Sequence, residues 1–165
     1  MRTLLPLAML LAATVVPCNA VAASSVAPGL PAPDFALKNA AGHNLRLSEW
    51  RGDVVVLNFW ARSCGVCTDQ LKDLEQLQKR YAEQGVRVVA VNIDRENQPA
   101  SEAAGRLQLL VLHDSEQSVA RDYELSTLPL TVFVDAHGKV RYVHEKYRGG
   151  DAIRYSEELA ALLQE

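Results

Sequence analysis

Cysteine is scarce in this sequence, with three residues, at positions 18, 64 and 67, in a chain of 165. So few cysteines exclude the disulfide-dense scaffolds of small secreted domains. Positive charge is also limited, since 17 basic residues face 20 acidic ones and the formal net charge is -3. The two signs are interspersed and form no basic stripe, so nucleic acid is not expected as a partner.

The N-terminus has almost no charge. Arg2 is the only charged residue before Asp34, and an apolar stretch of signal-peptide length runs from Leu4 to Val16. Ala20 and Ala22 supply the small residues of a cleavage site. We therefore predict an export signal over residues 1–22 and a periplasmic or otherwise extracytoplasmic location.

Two alternatives concern the same segment. About 20 uncharged residues are long enough to span a bilayer as an uncleaved anchor, although Pro6, Pro17 and Asn19 weaken that interpretation. Acylation of Cys18 would make a lipoprotein, but Pro17 directly before it is a poor match to such a site. Cleavage would remove Cys18 and leave Cys64 and Cys67 as the only cysteines.

The remaining chain divides at a change of composition. Residues 23–33 are rich in Pro, Ala and Ser and have no periodicity, which predicts a linker before a single domain over residues 34–165. Alternation on both sides of residues 40–42 predicts an edge hairpin. The runs "VVVLNFW" and "VRVVAVNID" predict strands buried on both faces, with a helix between them that ends at Gly85.

The second half continues the alternation of strand and helix. Helical patterns cover residues 98–107 and 117–123, on either side of the short apolar run "LQLLVL". A hairpin with Gly138 in its turn follows, and a last helix over residues 151–164 carries apolar Ile153, Tyr155, Leu159, Leu162 and Leu163. This order predicts an α/β sandwich around a central sheet.

Three sequence motifs resemble those of a known fold. In their order and separation, "VVVLNFWARSCGVC", "VVAVNID" and "STLPLTVFVDAHGKV" resemble the thioredoxin fold. With the leading hairpin and export signal, residues 34–163 resemble the extracytoplasmic TlpA/ResA-like thiol-disulfide oxidoreductases of the redoxin (AhpC/TSA-related) superfamily. The resemblance implies a three-layer sandwich with a central mixed β-sheet, helices on both faces and an extra N-terminal β-hairpin.

The position of the two cysteines indicates their chemistry. Cys64 lies at or just before a predicted helix N-terminus, where unpaired amides and the helix dipole favour a thiolate. We expect Cys64 to be the exposed nucleophile that forms a mixed disulfide, and Cys67 to resolve it. No cofactor is expected beyond this redox-active pair.

Other uses of the pair stay open. A zinc site would need further Cys or His at ligand spacing, and the four histidines show no such spacing. Two thiolates could bind Cu(I) for copper delivery. An inert structural disulfide would be expected in a buried loop. A thiol peroxidase would share the fold, but the segment before Cys64 lacks the expected Pro-x-x-x-Thr.

The resemblance extends to residues that would bind substrate. Pro129 matches the cis-proline that faces the cysteine pair in thioredoxin folds, so its bond to Leu128 is expected to be cis. The backbone of Leu128 would then hydrogen-bond an extended protein substrate. Trp60 is expected to pack beside the same site.

The proton acceptor for Cys67 is left open between water, Asp69 and Glu75. Asn58 occupies the position of a buried carboxylate in cytoplasmic thioredoxins, and Gln70 the position where TlpA/ResA-like members often have Glu. The same resemblance implies protein thiol or disulfide substrates and a membrane thiol donor. It favours a reductant, for example in cytochrome c maturation, over an oxidant. It does not give the oligomeric state.

Overall fold

Seven strands form a single mixed sheet in this computed structural model, which describes residues 25–95 and 107–165. The strands are β1 (Ala36–Asn39), β2 (Asn44–Arg46), β3 (Val54–Trp60), β4 (Val86–Asn92), β5 (Leu110–His113), β6 (Leu130–Val134) and β7 (Val140–Glu145). Their order across the sheet is β2-β1-β5-β4-β3-β6-β7. Strands β3, β4 and β5 are parallel, and the outer neighbours pair antiparallel.

Three α-helices lie among the described residues: α1 (Cys67–Tyr81), α2 (Ser118–Asp122) and α3 (Asp151–Leu162). Short 3-10 helices cover Leu47–Trp50 and Ala82–Gln84. Helices α1 and α3 contact one face of the sheet, and α2 contacts the other. The predicted three-layer sandwich with a leading hairpin is therefore confirmed.

The central strands are apolar because both of their faces are covered. All seven residues of β3 are buried, and five consecutive residues of β4 are buried as well. On the face covered by α1 and α3, β3 contributes Val54, Val56 and Trp60. The alternate residues Val55, Leu57 and Phe59 pack in the core on the α2 face. Continuous Val-rich runs are typical of parallel strands enclosed by helices.

The apolar residues of helix α3 do not all face the sheet. Tyr155, Leu159 and Leu162 are buried against the sheet, but Ile153 has 68% of its surface exposed. Ile153 lies two residues before Tyr155, about 200° around the helix, and therefore points away from the sheet. An apolar residue near a helix end does not by itself indicate the buried face.

The Pro- and Ala-rich stretch expected to be a linker lies against the domain over its described part, residues 25–33. The amide of Gly29 donates to the carbonyl of Val140 at 2.7 Å, and the amide of Ala32 donates to that of Gly138 at 2.9 Å. Val26 and Ala32 are buried in the core on the α2 side. These partners lie over 100 residues away in the chain, so the local composition could not indicate them.

Two predictions lie outside the described residues: the export signal over residues 1–22 and nearly all of the helix expected over residues 98–107. Across residues 25–95 and 107–165, no helix has both the length and the apolar character needed to cross a membrane.

Candidate functional site

A disulfide joins Cys64 and Cys67 where β3 gives way to α1. The S–S distance is 2.04 Å and the two Cα atoms are 5.4 Å apart. Helix α1 begins at Cys67, so Cys64 lies three residues before it, in the turn that leads into the helix. The amide of Cys67 donates to the carbonyl of Cys64 at 3.2 Å. The predicted position of Cys64, just before a helix N-terminus, is confirmed.

The two sulfur-bearing residues differ in exposure. Cys67 is 1% exposed and packs with Trp60, Leu71 and Ala90. Cys64 is partly exposed at the margin of the same cluster. A reagent from solution therefore reaches Cys64 more readily than Cys67.

Leu128 and Pro129 lie beside this cluster. The Leu128–Pro129 peptide bond is cis, as predicted. Leu128 and Cys64 are both partly buried against the cluster that contains Cys67. Pro129 is buried. The carbonyl of Pro129 accepts a hydrogen bond from the amide of Lys146 at 2.8 Å, which ties the end of β7 to the start of β6. The structure thus brings together residues that are about 60 positions apart in sequence.

Trp60 lies below the site and not on its surface. Its side chain is 2% exposed and packs in the cluster with Cys67. Its indole Nε1 is buried and has no hydrogen-bond partner among residues 25–95 and 107–165. This placement favours the packing role for Trp60 over extensive direct contact with a substrate.

A buried polar network begins one turn along α1 from Cys67. The side-chain amide of Asn58 donates to Gln70 Oε1 at 2.8 Å and to Thr131 Oγ1 at 3.1 Å. The amide of Gln70 donates to Thr131 Oγ1 at 2.9 Å and to the Tyr155 hydroxyl at 3.1 Å. All four side chains are fully buried. The network therefore links α1 to β3, β6 and α3 through uncharged groups.

Tyr155 stays protonated in this network. Burial raises the pKa of its phenol, and this outweighs the opposing effect of hydrogen bonds with Thr131 and Gln70. Asn58 and Gln70 cannot titrate, so no member of the network carries a charge at neutral pH. Asn58 and Gln70 each stand out in the sequence, but Thr131 and Tyr155 do not, because only the tertiary packing brings them together.

The two carboxylates considered as proton acceptors have other partners. Asp69 is exposed and forms an ion pair with Lys72 at 2.9 Å. Glu75 accepts a hydrogen bond from the amide of Gln108 at 2.8 Å and pairs with Lys79 at 3.2 Å. The hydrogen bond from the Gln108 amide has the largest effect, and together with Lys79 it holds the pKa of Glu75 below its usual value. Glu75 is eight residues from Cys67, about 12 Å along the helix axis.

Asp94 is a site residue that sequence reasoning missed. It follows β4 and accepts a hydrogen bond from the amide of Arg62, two residues before Cys64, at 3.0 Å. The signal for it was available, because β3 and β4 are adjacent parallel strands whose carboxyl ends meet at one edge of the sheet. A polar residue just after "VRVVAVNI" is therefore expected near the residues just after "VVVLNFW".

No group of three or more His, Cys, Asp or Glu side chains suited to a metal ion occurs within residues 25–95 and 107–165. The chemistry that the geometry itself supports is thiol-disulfide exchange at Cys64 and Cys67, with an accessible first sulfur and an enclosed second one.

Comparison with known proteins agrees with this chemistry. The profile of the AhpC/TSA family matches residues 28–143. The Thiol-disulfide oxidoreductase ResA of Geobacillus kaustophilus (strain HTA426) is 34% identical over 122 residues, 73% of this chain and 70% of that protein. ResA of Halalkalibacterium halodurans is 30% identical over 138 residues, 82% of this chain and 77% of that protein.

Solved structures show the same relationship. A crystal structure assigned as a Thiol:disulfide interchange protein DsbE from Chlorobium tepidum superposes with a TM-score of 0.79 and 33% identity, covering 84% of this chain and 99% of that one. Sequence and fold thus point to the same group of proteins.

Proposed function

The chain belongs to the AhpC/TSA family and is a thiol-disulfide oxidoreductase, and from that premise we propose that it reduces disulfides in extracytoplasmic protein substrates, with Cys64 as nucleophile and Cys67 as resolving thiol. The observation that carries the assignment of roles is the difference in exposure between partly exposed Cys64 and enclosed Cys67. Attack on a protein disulfide requires an accessible sulfur, while resolution requires only a nearby one.

The proposed reaction has two exchange steps. The Cys64 thiolate attacks one sulfur of the substrate disulfide, an S–S bond forms between them, and the other substrate sulfur leaves as a thiolate. The Cys67 thiolate then attacks Cys64, the Cys64–Cys67 bond forms, and the second substrate sulfur leaves. The substrate gains two electrons and takes up two protons, and the chain is left as the disulfide seen in the structure.

The helix N-terminus supports the acidity of Cys64 in this proposal. The first amides of α1 have no partners within the helix, and the helix dipole places partial positive charge at this end. A thiol pKa lowered from about 8.5 to about 7 raises the thiolate fraction at neutral pH from a few per cent to about half. For Cys67, the engagement of Asp69 and Glu75 with other partners favours water as the proton acceptor.

Substrate binding is proposed at the surface beside Cys64. Leu128 is partly exposed next to the cysteines and precedes buried Pro129, so its backbone is placed to pair with an extended substrate segment. Trp60 is buried beneath this surface and packs in the cluster that Leu128 contacts.

The cellular setting of the proposal derives from the sequence. An export signal over residues 1–22 and the TlpA/ResA-like resemblance support an extracytoplasmic enzyme, recharged by a membrane thiol donor and acting on a client such as oxidised apocytochrome c. The resemblance also supports the reducing direction.

A trapping experiment tests the assignment. In the Cys67→Ser variant the mixed disulfide at Cys64 cannot be resolved, so we expect a stable covalent adduct with the substrate that mass spectrometry identifies. Cys64→Ser is the matched control and should give no adduct. Absence of any adduct, together with Cys64 that resists alkylation at pH 6, would contradict the proposal. Stoichiometric Cu(I) binding by such an unreactive protein would favour copper delivery instead.

A further inference from the structure

The turn that carries Cys64 is hydrogen-bonded to a residue that follows the neighbouring strand β4. The amide of Cys64 donates to the carbonyl of Ala61 at 3.1 Å, which closes a four-residue turn. The amide of the second residue of such a turn takes no part in its closing hydrogen bond. In this turn that residue is Arg62, and its amide donates to Asp94 at 3.0 Å to Oδ2 and 3.3 Å to Oδ1.

Asp94 is itself held in a fixed position. Asn92 is 4% exposed, and its side-chain amide donates to Asp94 Oδ2 at 2.8 Å. The carbonyl of Asn92 accepts from the amide of Asp114 at 2.8 Å, and the carbonyl of Ile93 accepts from the side chain of Gln117 at 3.0 Å. The carboxylate is therefore presented to the turn by a segment that is hydrogen-bonded to its own neighbours.

We propose that Asp94 is a positioning residue for the second exchange step, in which it keeps the Cys64 turn aligned with the start of α1 while the Cys64–Cys67 bond is open. This inference rests on the proposed function. When the disulfide is closed, the covalent bond fixes Cys64 relative to Cys67. When the disulfide is open, the alignment of the two sulfurs depends on the conformation of the turn, so the hydrogen bonds of Asp94 matter most in the mixed disulfide and the dithiol.

The step affected is resolution. The Cys67 thiolate attacks the Cys64 sulfur of the mixed disulfide, the Cys64–Cys67 bond forms, and the bond from Cys64 to the partner sulfur breaks to release a thiolate. Loss of the Asp94 contact frees the backbone of about one residue of the turn, which corresponds to about a tenfold loss of effective concentration. The first step is bimolecular and needs only an accessible Cys64, so it should change little.

An aromatic disulfide, 5,5′-dithiobis(2-nitrobenzoate), separates the two steps in one absorbance trace. Attack by Cys64 on the reduced protein releases one coloured thiolate, and resolution by Cys67 releases a second. For Asp94→Ala we expect the first phase within about twofold of wild type and the second slowed about tenfold. Asp94→Asn retains an acceptor oxygen for the Arg62 amide, and both phases should stay within about twofold.

Asp53→Asn is the charge-matched control. Asp53 pairs with Arg87 at 2.8 Å just before β3, at the opposite end of that strand from Cys64. Its replacement removes one negative charge without touching the turn, so both phases should match wild type.

The inference is overturned if Asp94→Ala leaves the second phase unchanged, if it slows only the first, or if Asn fails to restore the rate. Should Asp94→Ala not fold, Asn92→Ala removes the donor that orients the carboxylate and must slow the second phase about threefold for the inference to stand. A wild-type protein that releases no second thiolate contradicts the proposed function, and the inference with it. A normal two-phase wild type with unaltered variants contradicts the inference alone.

Discussion

At the residue scale, the polar groups one turn from Cys67 are uncharged and are joined by hydrogen bonds to one another. The side-chain amide of Asn58 donates to Gln70 and Thr131, and that of Gln70 donates to Thr131 and Tyr155. A buried carboxylate at either amide position would need a charged partner or a proton, and the hydrogen-bonded side chains beside it, Thr131 and Tyr155, are neutral. The amides therefore stabilise the junction of β3, α1, β6 and α3 without making it sensitive to pH.

Gln70→Glu tests that neutrality. Burial among neutral groups should raise the folded-state pKa of the new carboxyl by about two units above its unfolded value of about 4.3. The variant should then match wild type near pH 4 and lose about 3 kcal/mol of unfolding free energy as pH rises through 6.5, because the folded state holds the proton more tightly. Urea titrations at pH 4 and pH 7.5 measure the difference.

Gln70→Met is the control for this prediction. It removes hydrogen bonds without adding a titratable group, so its loss of stability should be the same at both pH values. An equal penalty for Gln70→Glu at the two pH values would contradict the proposed neutrality of the network.

At the element scale, α1 carries the site and is anchored by an apolar face. Leu74 and Leu77 are buried against β3, β4 and α3 on the same side of the sheet as the cysteines. The N-terminus of α1 is held by the packing of Cys67 and Leu71 against Trp60 and Ala90. No capping side chain contributes, because the N-cap residue is Val66.

Paired alanine substitutions test the distinction between buried and exposed helix residues. Leu74 is fully buried, so Leu74→Ala should lower the free energy of unfolding by about 2–5 kcal/mol through lost burial and the cavity left behind. Ile153 is 68% exposed, so Ile153→Ala should change it by less than about 0.5 kcal/mol. Chemical denaturation of the two variants compares them, and a large cost for Ile153→Ala would contradict the assigned orientation of α3.

At the scale of the whole molecule, the segment before the first hairpin completes the core on the α2 side. Val26 and Ala32 are buried with residues of the sheet, and Gly29 and Ala32 donate backbone hydrogen bonds to the β6–β7 hairpin. The amide of Val140 in turn donates a hydrogen bond to the carbonyl of Leu30 at 2.8 Å. The segment thus pairs with the chain at the start of β7 and contributes side chains to the core on the α2 side.

Truncation measures this contribution. A chain that begins at Asp34 should lose about 2–4 kcal/mol of unfolding free energy relative to one that begins at Ser25, from the buried side chains and hydrogen bonds removed. Urea unfolding of both chains gives the difference, and Val26→Asp in the longer chain should reproduce part of it. Equal stability of the two chains would show that the packed segment contributes nothing.

Much of the fold and part of the site could be predicted because their signals are local. The Val-rich run of β3, the helical spacing after Cys67 and the hairpin around Gly138 each lie within one stretch of chain. The cis bond at Pro129 was predicted because the motif "STLPLTVFV" resembles the cis-proline segment of thioredoxin folds. The contacts of Asp94 with Arg62, and of Tyr155 with Gln70, join residues 32 and 85 positions apart and carry no local signal of their own.

The sequence by itself determined the order of strands and helices and the place of the cysteine pair at the junction of a strand and a helix. Periodicity and turn residues act over a few positions and can be read in one dimension. Only the tertiary structure decided how far Cys67 is enclosed, which neutral groups meet beside it and how the turn of Cys64 is hydrogen-bonded to Asp94. Exposure and hydrogen-bond partnership depend on the packing of segments far apart in the chain.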